Sequence, residues 1–455
     1  MVKKVVIIGG GAAGPKTAAK LKREAPDILI EMYTDEQNIS YSACGIPYYV
    51  EGIIQDVEEL YVRSPEEFEH RGIRVFLGQR CIKILKEEKK VILQDVKTKE
   101  EKYVEYDILV LATGATPHVP HIENINNFEN IYTLRKIEDG KALREVMLSS
   151  KKATIIGFGY IGIEMLEAFV KNGLFVNIID RNKYLMGVFD EDISSRIQEH
   201  IVQKDGSKIR IYNLDEAIRF EGNNKKVEKI ITKNGYEIET DFVLISAGIV
   251  PNTQIAVDCG LKTGIKNSVW VNSHMETSEE GIYAVGDCCE KRHIVTKKAC
   301  WLPLGSTANR EGRCAAINIA NKNCDFEGVL GSAVSRYFDF TVAMAGLTEK
   351  QAKNLGYDTI SAIVTKNDRA GYMPEAATIC LKLIADANSH EIIGVQGIGT
   401  GDAEKRVATA SIAIMEGVKA EDFMSIDLPY APPYSTAIDP LLNAVQILMK
   451  KLDID

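Results

Sequence analysis

Nine cysteines occur in the 455 residues, yet no two are spaced as C-x-x-C, which removes the usual zinc-ligand and dithiol redox patterns. Cys44, Cys81, Cys259, Cys288, Cys289, Cys300, Cys314, Cys324 and Cys380 are odd in number and scattered. They read as reduced thiols of a cytoplasmic protein, most of them buried. An excess of positive charge is also missing: 55 Lys+Arg stand against 64 Asp+Glu, a net charge of -9. No global basic field is available for nucleic acid or an anionic membrane, so any anionic ligand needs a local patch. Long uncharged apolar runs are absent as well. The longest internal one, residues 153–170, is broken by Glu164, Glu167 and three glycines, so no membrane helix is expected. The opening MVKKVVIIGGG flows into glycines without a cleavage-site pattern and reads as a first β-strand. What is present is ordinary for a globular protein: 45% hydrophobic, 26% charged, 35 Gly and 13 Pro. Disorder, collagen and small disulfide scaffolds are excluded, and at roughly 150 residues each the chain accommodates about three domains.

An internal repeat organises it. Residues 5–14 read VVIIGGGAAG and residues 153–162 read ATIIGFGYIG, each an apolar strand entering G-x-G-x-x-G before a helical segment. Downstream, DILVLATGATPHVP from Asp107 matches DFVLISAGIVPNTQ from Asp241, placing Ala112, Thr113, Gly114 and Gly248 in equivalent strand-end turns. One such loop is a weak signal, but two with the same later partner indicate two dinucleotide sites. Gly9, Gly11 and Gly14 allow the tight turn and close approach of a pyrophosphate, whose charge meets the N-terminus of the following helix; Gly157, Gly159 and Gly162 do the same for a second nucleotide. About twenty positions on, the strand VNIID supplies Asp180 for an adenosine ribose. That acid favours NADH, while the adjacent Arg181 could pair with a 2′-phosphate and leaves NADPH open. In the first repeat the count reaches Thr34, so the acid is displaced to Asp35 or replaced. Two such folds suggest FAD and NAD(P)H. GIYAVGD at 281–287 supports the flavin, with Asp287 set against its ribityl or phosphate portion and a following helix aimed at the pyrophosphate.

Cys44 lies in NISYSACGIPYYVEG, just before a helix start that tolerates Pro47. The positive end of that helix would lower the thiol pKa and make Cys44 reactive. Five positions on, where a dithiol reductase has its second cysteine, stands Tyr49. An oxidised Cys44 is therefore a mixed disulfide with a small thiol or a sulfenic acid. Cys288 and Cys289 read as packing thiols.

With NISYSACGIPYYVEG and the later YAPPY at 430–434, essentially the whole chain resembles the single-cysteine branch of the flavin-dependent pyridine nucleotide-disulfide oxidoreductases. Within that branch it is most similar to coenzyme A-disulfide reductases, with NADH oxidases, peroxidases and persulfide reductases as cousins. The resemblance implies an α/β fold of two Rossmann-like dinucleotide-binding domains plus a C-terminal α+β dimerisation domain. FAD would take 1–116 and 250–328, NAD(P)H 117–249, and the homodimer contact 329–455. It implies Cys44 alternating between thiolate and a mixed disulfide with CoA, and Ser40 near both flavin and substrate. Lys20, Lys22, Arg23 and Arg63 would hold the nucleotide end of CoA. Tyr160 would gate the flavin, with Glu164 facing the nicotinamide. Tyr430, and Tyr372 in DRAGYMP, would enter the partner's active site, where a phenol can act as general acid. Tyr434 reads as structural. Ala12 stands where oxidases and peroxidases carry histidine, which argues against peroxide chemistry. Ala43 replaces an asparagine common before the reductase cysteine and leaves the preferred disulfide open. A persulfide or polysulfide reductase, an NADH oxidase reducing dioxygen, and a non-enzymatic flavin redox sensor remain as alternatives.

Overall fold

The computed structural model describes residues 3–454. The apolar runs expected as strands become the centres of two parallel sheets. In the first, the order is Ile282–Ala284, Ile108–Leu111, Lys4–Ile8, Leu29–Tyr33 and Ile73–Phe76. In the second it is Ile209–Asn213, Phe175–Asp180, Lys152–Ile156, Phe242–Ile245 and Ile131–Tyr132. Val5, Val6 and Ile7 are wholly buried, as are Ala153 and Ile155, because a parallel strand covered on both faces needs near-continuous apolar sequence. The repeat in the sequence is thus a repeat in space: each glycine loop leaves the central strand at its carboxyl end. The chain passes between the two folds where Ala115–Pro117 pairs antiparallel with Ile249–Pro251.

The C-terminal third forms an antiparallel sheet in the order Ala333–Tyr337, Phe340–Gly346, Ile392–Gly399, Thr378–Asp386 and Thr359–Asn367. Strand alternation splits its two faces. Ala343 and Ala345 join the core shared with the helices Ala403–Met415 and Pro440–Lys451. Val342 and Met344 point the other way, into the core of the second parallel fold. The prolines of residues 427–440 keep the chain irregular up to Asp439, whose carboxylate caps the last helix by accepting from Leu441 N at 2.8 Å; Pro440 opens that helix. One expectation fails here. No long helix follows Asp287 directly: Gly286–Cys288 is a single 3-10 turn, and the helix that reaches the same region is Gly305–Ile319. Among the described residues, no helix is long and apolar enough to cross a membrane.

Polar contacts lock the second fold to the C-terminal sheet. Ser335 Oγ donates to Glu164 at 3.2 Å, Phe338 N to Glu167 at 2.8 Å and Tyr337 Oη to Asp205 at 2.7 Å. Lys382, almost fully buried, lies 3.2 Å from Asp190, 2.7 Å from Asp192 and 2.9 Å from Glu349. Removing one partner from such a cluster strands the remaining buried charge. Lys382→Met is expected to lower unfolding free energy by about 3 kcal/mol in chemical denaturation, and a change within about 0.5 kcal/mol would show that the cluster contributes nothing.

Candidate active site

The carboxyl ends of both parallel sheets open onto one cavity of about 2520 Å³. Both glycine loops line it. Gly9 has φ 120°, and a Cβ there would lie 2.0 Å from the Ala112 carbonyl oxygen; Gly157 has φ 84°, and a Cβ would meet Ala247 Cα at 2.8 Å. These are positions that only glycine fills without strain. By contrast, a Cβ on Gly11 or Gly159 would meet nothing within 4 Å, so the middle of each loop offers bare backbone to the cavity. The helices Ala13–Glu24 and Tyr160–Lys171 start there, so each loop fits a pyrophosphate. Gly14 and Gly162 do not line the cavity. They pack beneath their own loops, where a Cβ would approach Gly9 O at 2.0 Å and Gly157 O at 3.2 Å, so their part is to let the helix sit close.

Around the first loop the cavity gathers Ala12, Asp35, Ser40, Ala112, Thr113, Gly114 and Asp287, and around the second Tyr160, Glu164, Asp180, Arg181 and Gly248. Asp35 pairs with Arg80 at 3.1 Å. Ser40 has φ 51° and is tied down by its N–H to Gly10 O at 2.9 Å. Asp287 lies 3.2 Å from Arg135, a residue the sequence reading passed over, and its carbonyl accepts from Trp301 Nε1 at 2.8 Å. Asp180 carries a structural contact as well. The residue is 3% exposed, and its carboxylate accepts from Phe158 N and Asn182 N, both at 2.7 Å, so it also ties the glycine loop to the strand end.

Cys44 is the one exposed cysteine of the nine, and it lines the same cavity. It sits in the turn Ala43–Gly45, ahead of the six-residue helix Ile46–Glu51. A Cβ on Gly305 would be 3.8 Å from its Sγ, so the first residue of the helix Gly305–Ile319 also abuts the sulfur. The expected lowering of its pKa is not what the surroundings of the chain produce. Loss of solvent within the cavity pushes the thiol up first, and the Glu164 and Asp287 charges add to this, against Arg135, which lowers it. Burial holds the Glu164 carboxyl up at about 7, with Ser335 partly offsetting it, and pushes the Tyr160 phenol up as well.

The basic patch needs correction. Arg63 lines the cavity, but Lys20, Lys22 and Arg23 do not. Lys20 pairs with Glu24 one turn on, and Lys22 Nζ donates to the Ile28 carbonyl at 2.9 Å. Both ammonium groups are occupied with holding the end of their own helix. Lys16, one turn before Lys20 on that helix, is the lysine that reaches the cavity. Tyr372 and Tyr430 are 75% and 53% exposed and lie outside this chain's cavity, as does Tyr434.

Residues 3–312 match the family model for pyridine nucleotide-disulphide oxidoreductases, and residues 332–441 match that family's dimerisation domain. The NAD(P)H coenzyme A polysulfide/persulfide reductase of Pyrococcus horikoshii is 37% identical over 455 residues, covering 98% of this chain and 99% of that protein. The coenzyme A disulfide reductase of Staphylococcus haemolyticus is 26% identical over 448 residues, with 98% of each covered. Among solved structures, the NAD-dependent persulfide reductase from A. fulgidus superposes with a TM-score of 0.95 at 35% identity, over 99% of this chain and 84% of that one.

The coupling between Glu164 and Cys44 is measurable. Because the Glu164 charge raises the thiol, Glu164→Gln is expected to move the inflection of Cys44 alkylation by iodoacetamide to lower pH. An unmoved inflection would mean that the carboxylate does not act on the sulfur.

Proposed function

The chain belongs to the pyridine nucleotide-disulphide oxidoreductase family, and from that premise we propose that Cys44 is the sulfur that takes and releases a small thiol, with CoA disulfide as substrate. The protein is a FAD-dependent oxidoreductase that draws on NAD(P)H. When bound, FAD supplies the two-electron relay between nicotinamide and sulfur. One observation carries the role of Cys44: the only exposed thiol opens into the cavity that both glycine loops share.

The first loop, through Gly9, Gly11 and Ala12, holds FAD together with Asp35, Ala112, Thr113, Gly114 and Asp287. The second loop, with Tyr160, Glu164 and Gly248, holds NAD(P)H. Lys16, Arg63 and Ser40 supply the charge and hydroxyl for CoA. As thiolate, Cys44 attacks the S–S bond of CoA disulfide: a Cys44–CoA disulfide forms, the substrate bond breaks, and one CoA leaves as thiolate. Two electrons and one proton then cleave the mixed disulfide, restoring the Cys44 thiolate and releasing the second CoA as thiol. Arg135 and the positive helix end at Gly305 stabilise the anionic sulfur against the loss of solvent within the cavity. The exposure of Tyr372 and Tyr430 supports a homodimer in which each chain lends them to the other's cavity as proton donors.

A second reading, reduction of CoA persulfide, is favoured by the name of the Pyrococcus horikoshii relative and uses the same cysteine. Rates with CoA disulfide and CoA persulfide at equal NADH separate the two. Cys44→Ser is expected to lose disulfide turnover by at least about a thousandfold while still binding FAD and NADH. Retained turnover in that variant removes Cys44 from the chemistry.

A further inference from the structure

Beneath the cavity lies a charge pair that the chemistry above leaves unused. The side chains of Lys291 and Glu311 are 1% and 0% exposed, and Lys291 Nζ stands 3.2 Å from Glu311 Oε1. Apolar residues of similar volume often fill such a site with no loss of stability, because two desolvated charges gain little from each other. Stability alone therefore does not account for the pair. Its remaining bonds converge on one residue. Glu311 Oε2 accepts from Gly286 N at 2.6 Å, and Lys291 Nζ donates to Gly286 O at 2.8 Å and to Cys289 O at 3.0 Å. Gly286 O has two further donors, Cys289 N and Cys289 Sγ, each at 3.3 Å. Gly286 N has Glu311 as its one acceptor among the described residues. The neighbouring Glu290 is turned elsewhere and accepts from Ile265 N at 3.2 Å.

Gly286 has φ 84°, and a Cβ there would stand 3.1 Å from Ala13 Cβ, where the helix after the first glycine loop begins. The pair thus holds both peptide planes that flank this glycine, and the second leads directly into Asp287. Asp287 lines the cavity opposite Arg135. Glu311 itself sits on the helix Gly305–Ile319, whose first residue abuts Cys44, so one rigid element reaches both the Asp287 turn and the sulfur.

We propose that Glu311, with Lys291 as its counter-charge, is a positioning residue for the flavin: by holding Gly286 it sets Asp287 at the cavity wall, and without that hold FAD is released faster. The inference rests on the reading of Asp287 as a ligand of FAD.

Its test is the release of FAD from the loaded enzyme, followed by the fluorescence of free flavin after dilution. Lys291→Met combined with Glu311→Gln removes both charges and keeps an acceptor for Gly286 N, so release is expected to stay within about twofold of wild type. Lys291→Met combined with Glu311→Met removes that acceptor as well, and release should be about tenfold faster. Should this variant not fold, Glu311→Asp takes its place with the same expectation, since its carboxylate is one methylene short of Gly286 N. Asp287→Ala should also speed release about tenfold. Adding it to the Lys291→Met, Glu311→Met variant should bring no more than about a further twofold, because both changes remove the same hold on FAD. Equal release from the variants carrying Glu311→Gln and Glu311→Met, or from Glu311→Asp and wild type, overturns the proposal. A release about a hundredfold faster in the triple variant also overturns it, since Glu311 would then act independently of Asp287. If Asp287→Ala alone leaves release unchanged, the reading of the flavin site itself fails.

Discussion

The constraint on which the structure depends is the close passage of backbone at the first glycine of each loop. At Gly9 the central strand turns so near the Ala112 carbonyl that no side chain fits, and Gly157 repeats this against Ala247. That contact draws neighbouring parallel strands together at their carboxyl ends and leaves the next backbone segment bare toward the cavity. The free amides and helix ends collected there are what allow an acidic protein of net charge -9 to hold pyrophosphates at all. Cys44 benefits from the same arrangement, since its sulfur lies between two helix starts, at Ile46 and Gly305.

The C-terminal sheet is more than a cover. One face supports its own helices and the other completes the core of the second parallel fold, so Val342 and Ala343 serve different cores from adjacent positions. Glu164, at the cavity, is held by Ser335 of that sheet, so the electrostatics around Cys44 depend on how the C-terminal domain docks. Arg406, fully buried, extends this to the tyrosine loops: it donates to the Asp368 carbonyl at 2.6 Å and to Asp439 at 2.9 Å, tying the segments on either side of it. The loops bearing Tyr372 and Tyr430 are therefore anchored to a common side chain.

Much of this was legible in the sequence. The doubled glycine loops and the strands that feed them follow from local pattern. Cys44 stood out because its neighbours are unusual, and it is the exposed thiol that reaches the cavity. What stayed hidden depends on approach between distant segments. The spacing rule counts Asp180 as a ribose ligand but cannot tell that the same carboxylate also accepts from two backbone amides. Three basic residues on one helix looked like a phosphate patch, whereas helix geometry turns Lys20 and Lys22 to local partners and leaves Lys16 at the cavity. The raised Cys44 thiol reflects enclosure by cavity walls from several segments, which no local motif encodes.

The central claim is that Cys44 is the sulfur that carries the substrate thiol, and the most direct measurement is peptide mass spectrometry of the FAD-loaded enzyme after one equivalent of CoA disulfide, before and after NADH. The account predicts one CoA per chain on the peptide spanning residues 38–52, joined through Cys44 and released by NADH. Turnover of the disulfide with Cys44 unmodified, or with CoA on another cysteine, would contradict it.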